Sequence, residues 1–299
     1  MSRTWFQRTG MMAALAISLV AAGCGGGGGS GVETADSAGA GIDGSVTKGP
    51  VSHATVTAYA ISGGQVGPQI GTATTDASGH FTMSVGGHAG PLMLKASGGT
   101  YQDEATGASM AMAPGDVMTA LMASVVAGTN SLQITPLTAM AQALAQQMAG
   151  GMTEANIAAA NAAMGNYFSV SDILHVHPMN PLTPGAGTAA SQDARNYGMT
   201  LAAMSQYAKT LNMSVSSSMV TAMMSDASDG TMDGRKAGTQ ITMGTGAMMG
   251  GGMMASSAGT GSLAASMSDF MSSTANMSGL MPTDMAALLQ KLTASSGKI

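Results

Sequence analysis

From residue 110 onward methionine takes over the apolar role in this chain. Of its 31 methionines, Met1, Met11 and Met12 stand near the start, Met83 and Met93 follow, and the other 26 begin at Met110. Aromatic residues make up only 3% and charged residues 8%, and the one tryptophan is Trp5. A core with so few large rigid side chains must be filled by alanine, glycine and flexible thioethers, which suit irregular gaps. The change of apolar residue marks an expected division of an α+β multidomain chain. A small antiparallel β-sandwich over 41–110 precedes an α-helical, Met/Ala-rich domain over 111–299.

Period-two alternation carries the first half. Ala54 to Ala60, Gln69 to Thr75, Phe81 to Val85 and Pro91 to Ala96 each alternate as half-buried strands do. Asp76-Ala77-Ser78-Gly79 reads as a turn, with Asp bonding the backbone ahead and Gly free to take positive φ. Val117 to Val126 predicts one more strand at the opening of the second domain. Thr135-Pro136 then predicts a capped helix start, and Leu137, Met140, Ala141, Leu144 and Met148 recur at helical spacing until Gly150-Gly151. Further helices are expected from Glu154 to Asn166, Gln192 to Leu211, Ser217 to Ala227, Leu263 to Thr274 and Thr283 to Ser295. The glycine- and methionine-rich stretch 230–257 is expected to be a flexible loop.

The first forty residues concern location. Arg3 and Arg8 precede a short apolar run, Met11 to Ala22, too short to span a bilayer and laid out as a secretion signal. It ends at Ala21-Ala22-Gly23-Cys24, which resembles the lipobox of bacterial lipoproteins. That resemblance implies a signal peptide over 1–23, lipidation of Cys24 and a glycine-rich tether over 24–40. The alternative on the same residues is an ordinary signal peptide cleaved near Ala22, with Cys24 left as a free thiol. Gly25 after the cysteine, in place of the aspartate that marks inner-membrane retention in that class, implies an outer-membrane anchor. The mature chain would carry 8 basic against 15 acidic residues, a net charge of −7. No basic stripe exists to read nucleic acid, and the single cysteine allows no internal disulfide.

Gly44-Ser45-Val46, Gly49-Pro50-Val51 before Ala54-Thr55-Val56, and Thr75 to Phe81 together resemble the carboxypeptidase regulatory-like domain. The resemblance spans residues 41–107 and implies a prealbumin- or immunoglobulin-like sandwich serving as an accessory or binding module without a catalytic site. Thr135-Pro136-Leu137-Thr138 after such a sandwich resembles uncharacterised bacterial envelope lipoproteins.

Three chemistries deserve weighing. His175, His177 and Met179 on one extended segment, with Met243, Met248, Met249, Met253 and Met254 on the glycine-rich stretch, offer imidazoles and thioethers that suit copper. The competing reading is that methionine simply packs. Asp226, Asp229 and Asp233 gather carboxylates around two glycines, the oxygen supply a calcium loop requires, although the spacing misses the EF-hand pattern. Gly39 to Gly44 matches G-x-G-x-x-G by letter but precedes a strand instead of following one. No nucleophile elbow, zincin motif or phosphate loop occurs. The expectation is a non-enzymatic, lipid-anchored envelope protein that contacts another envelope protein or a polysaccharide and needs no cofactor. The alternative is a copper-binding lipoprotein. Exposed methionines could also absorb oxidants, which would require many of them to face solvent.

Overall fold

The computed structural model describes residues 39–243, 253–255 and 260–299, all within one compact unit, Ser37–Ile299. The fold is α+β. Strands β1 (Ala40–Val46), β2 (Thr55–Ser62), β3 (Gln65–Thr74), β4 (His80–Ser84), β5 (Gly90–Ser97), β6 (Thr100–Gln102), β7 (Ser109–Ala111), β8 (Val117–Val125) and β9 (Gly128–Ile134) come first. They form a four-stranded sheet ordered β3-β2-β5-β8, a three-stranded sheet ordered β4-β1-β9, and the β6-β7 hairpin.

The inner faces follow from the alternation. Ile42 and Val46 of β1, Phe81 and Met83 of β4, and Leu132 of β9 meet Val56, Ala58, Leu92, Leu94, Met118 and Ala120 of the larger sheet. Gly44 has to be glycine, because a Cβ there would stand 2.7 Å from the Leu132 carbonyl oxygen. The Asp76 turn forms as its sequence suggests, with Asp76 Oδ1 accepting from the Ser78 amide at 2.8 Å and the His80 amide at 2.9 Å.

The larger sheet has a second buried face. Ile61, Met93 and Leu121 point away from the sandwich and pack among Leu137, Met140 and Ile157 of the helical layer. Helices α1 (Pro136–Gln147) and α2 (Glu154–Phe168) therefore cover this sheet. Covering on both faces explains why Met118 to Met122 is buried without interruption. The expected boundary at residue 110 is displaced for the same reason. Strands β8 and β9 complete the two sheets, and the helices form a third layer on the sandwich. The sandwich is also not wholly antiparallel, since β9 runs parallel to β1 over Ala40–Val46.

The remaining helices are α3 (Ala186–Ala189), α4 (Gln192–Thr210), α5 (Ser217–Ala227), α6 (Gly261–Met271) and α7 (Ala286–Ala294), the last preceded by a 3₁₀ turn at Pro282–Met285. Thr135 caps α1 with the expected Pro136 at its first position, and Thr138 returns a bond to the Thr135 amide at 2.8 Å. The stretch expected to be a flexible loop holds a short hairpin of β10 (Arg235–Lys236) and β11 (Thr239–Gln240). Its anchors are Met232, Ile241 and Met243, which are buried in the helical core.

Candidate functional site

A groove of about 280 Å³ opens where the end of β1 and the start of β4 meet the 177–181 segment and α4. Pro50, Pro178, Met179, Pro181 and Leu201 supply its apolar wall, and Ser45, His80, His177 and Asn180 its polar groups. The 177–181 segment is held in place by backbone contacts. The Met179 amide donates to the Ala194 carbonyl at 3.0 Å, and Gly198 lets the Met179 carbonyl lie directly on α4. A Cβ at Gly198 would stand 2.0 Å from that oxygen. At the rim, His80 Nε2 lies 2.8 Å from Asp43 Oδ1, and Gln133 reaches His177 Nε2 at 3.4 Å.

Beneath the groove the fold buries a charge cluster that sequence reasoning did not single out. Lys48, in the turn after β1, is fully buried, and its Nζ lies 3.0 Å from Oε2 of Glu104, which is itself buried and forms part of the groove's lining. Ser205 of α4 hydrogen-bonds to both: it accepts from Lys48 Nζ and donates to Glu104 Oε2 at 2.6 Å. The ammonium also sits 5.4 Å from the centre of the Tyr101 ring. The neighbouring Asp103 accepts from Ser216, beside the start of α5, and from the Thr106 amide at 3.0 Å. Burial pushes the Asp103 carboxyl up, but the Lys48 charge and the hydroxyls of Ser216 and Thr106 outweigh it and hold the group below its usual range. Tyr101 completes the tie by accepting from the Ser217 amide at 3.0 Å. The cluster thus joins the sandwich to α4 and α5. The available signal was modest: in a chain with 8% charged residues, Asp103-Glu104 is an adjacent acidic pair just after a strand.

The residues expected to bind copper do not share one setting. His175 is exposed and paired with Asp172 Oδ2 at 2.6 Å, while His177 and Met179 line the groove. Met243 and Met254 are buried in the helical core, and Met254 lines a small void with Tyr207 and Asp226. Met253 is exposed, and Met248 and Met249 lie outside the described residues, as does Cys24. Among the described methionines only Met253, Met277 and Met281 are exposed, so most of the thioethers pack.

The three aspartates expected to hold calcium turn their oxygens toward backbone amides. Asp226 Oδ1 accepts from the Asp233 and Gly234 amides at 3.0 and 2.7 Å. Asp229 accepts from Thr231 and Ala237, and Asp233 from Arg235. Amide hydrogens aimed at these oxygens organise the turn after α5 and repel a cation from the same side.

Burial raises Asp226 to about 6, although the two amides oppose it. Its folded value lies above the ordinary 3.8, so this group's contribution to stability is fully present below that pH and is lost as pH rises through 6. Asp226→Asn keeps the accepting oxygen and removes the charge. It is expected to stabilise the fold by about 2 kcal/mol at pH 7.5 and to give no gain at pH 4. Urea unfolding at the two pH values checks this.

No family model matches this chain, and no curated protein matches it either. Among solved structures, a crystal structure of (S)-allantoin synthase aligns at 12% identity and TM-score 0.22, covering 34% of this chain and 42% of that one. A 9R-lipoxygenase from Cyanothece PCC8801 aligns at 9% identity and TM-score 0.22, covering 67% of this chain and 26% of its own. Overlaps this loose carry no argument about fold or activity. The candidate site therefore stands on its own geometry: a proline- and methionine-walled groove at the seam between the sandwich and the helices.

Proposed function

We propose that this chain is a lipid-anchored cell-envelope protein that binds an extended segment of another envelope protein without catalysing a reaction. The observation that carries the reading is the groove at the seam. Its apolar wall offers burial to one or two side chains, and its rim offers hydrogen-bonding partners at Ser45, His177 and Asn180. Among the described residues no Phe, Tyr or Trp lines it, so a sugar ring would find no stacking face there, and a protein segment is favoured over a polysaccharide. The resemblance of 41–107 to an accessory-type sandwich supports the same reading, as does the resemblance of Cys24 and its neighbours to a lipobox.

Both parts are testable. Cys24→Ser is expected to move the protein out of the outer-membrane fraction, and an unchanged membrane fraction contradicts the anchor. Asn180→Arg, which fills the groove with a charged side chain, is expected to weaken capture of the envelope partner at least tenfold, equivalent to about 1.4 kcal/mol. Thr72→Arg on exposed β3 should leave capture unchanged. Equal capture by both variants contradicts the groove assignment.

A further inference from the structure

The reacting groups of an amide condensation meet inside this fold. Lys48 Nζ and Glu104 Oε2 are 3.0 Å apart, and neither side chain is more than 2% exposed. We propose that Lys48 and Glu104 join after folding through a side-chain amide bond between Nζ and Cδ.

Four observations support it. First, the approach is fixed by backbone. Gly49, with φ +61°, presses the turn carrying Lys48 against the strand that leads to Glu104, so closely that a Cβ would stand 2.2 Å from the Gln102 carbonyl oxygen. Holding reactants in this way replaces a bimolecular encounter by a pre-oriented one. Second, Ser205 Oγ hydrogen-bonds to both reacting groups and can relay a proton between them. Third, the other nearby carboxylate, Asp103, is engaged by Ser216 and Thr106, which leaves Glu104 as the acid in contact with the ammonium. Fourth, Ser205 belongs to α4, so the full set assembles only when the helical layer docks on the sandwich.

The chemistry balances without an outside reagent. One proton passes from the Lys48 ammonium through Ser205 to the Glu104 carboxylate, giving a neutral amine and a neutral acid. Nζ then attacks Cδ to form the C–N bond. The C–Oε2 bond breaks, and Oε2 departs as water with the second proton lost by nitrogen. Two buried charges become one neutral amide, which removes the desolvation penalty of an ion pair kept away from water. The same exclusion of water protects the product from hydrolysis.

The test is a peptide map of the full chain as purified, denatured before digestion. The expected product is one species containing both the Lys48 and Glu104 peptides, lighter than their sum by one water, with Lys48 unreactive toward an amine-acetylating reagent in denaturant. Ser205→Ala should slow its appearance about a hundredfold after refolding. Two separate peptides with Lys48 fully acetylated would overturn the proposal, leaving an ion pair. A bond from Lys48 to Asp103 would overturn the assignment to Glu104. Because the map reads the unaltered protein, the result does not depend on any variant folding.

Discussion

Lys48→Met is expected to destabilise the protein by about 3–5 kcal/mol in urea unfolding at neutral pH, because it leaves the Glu104 carboxylate buried with neither an amide partner nor a counter-charge. The replacement keeps much of the side-chain volume, so the loss arises from charge and not from a cavity. Glu104 is 2% exposed and would keep only its bond from Ser205. Against the upward push of burial, Asp103 keeps its bonds from Ser216 and Thr106, which lower its carboxyl with or without the Lys48 charge. In the wild type the lowered Asp103 contributes stability above its ordinary value and loses it as pH falls through the folded value. A deficit below about 1 kcal/mol at neutral pH, the worth of a surface pair, would show that the cluster is hydrated.

Gly198→Ala should cost about 3 kcal/mol, at the upper end of what overpacking a well-filled site exacts. Alanine ordinarily favours a helix over glycine by about 1 kcal/mol, so on α4 alone the change would stabilise. The sign reverses here because the new methyl would meet the Met179 carbonyl oxygen at 2.0 Å, with the backbone nitrogen and carbon of Met179 close behind. Backbone on that side cannot rotate away as a side-chain tip could. The 177–181 segment must lift off α4, breaking the bond from the Met179 amide to Ala194 and reshaping the groove wall. Partner capture should fall along with stability. Gly261→Ala is the matched control, since a Cβ there meets nothing within 4 Å.

Much of this architecture was legible. The strands at 54–60 and 91–96 and the α5 helix at Ser217–Ala227 follow from alternation and helical spacing, and the Thr135-Pro136 start from capping chemistry. Strand β9 was not, because Gly128 to Gln133 mixes polar and small residues and becomes a strand only by lying beside β1. The third layer was hidden for a related reason. Met93 and Leu121 fall in expected strands, but nothing in their alternation shows that the opposite face of the sheet carries helices. The hairpin in the glycine- and methionine-rich stretch depends on Asp226 gathering amides seven and eight residues ahead, a contact that composition cannot display. The buried cluster brings together Lys48, Asp103, Glu104, Ser205 and Ser216, separated by as many as 157 residues along the bonded pairs, with no motif to connect them. Local rules describe elements, whereas this site is made where elements meet.

The central claim is that the groove at the seam receives a protein segment in the envelope. The most direct measurement is photo-crosslinking in intact cells from a reactive amino acid placed at His177, with Thr72 as the distant control. The account predicts one dominant protein adduct from position 177 that is absent from position 72 and is lost when Asn180→Arg is added. Adducts of equal pattern from both positions, or an adduct at 177 indifferent to Asn180→Arg, would contradict it.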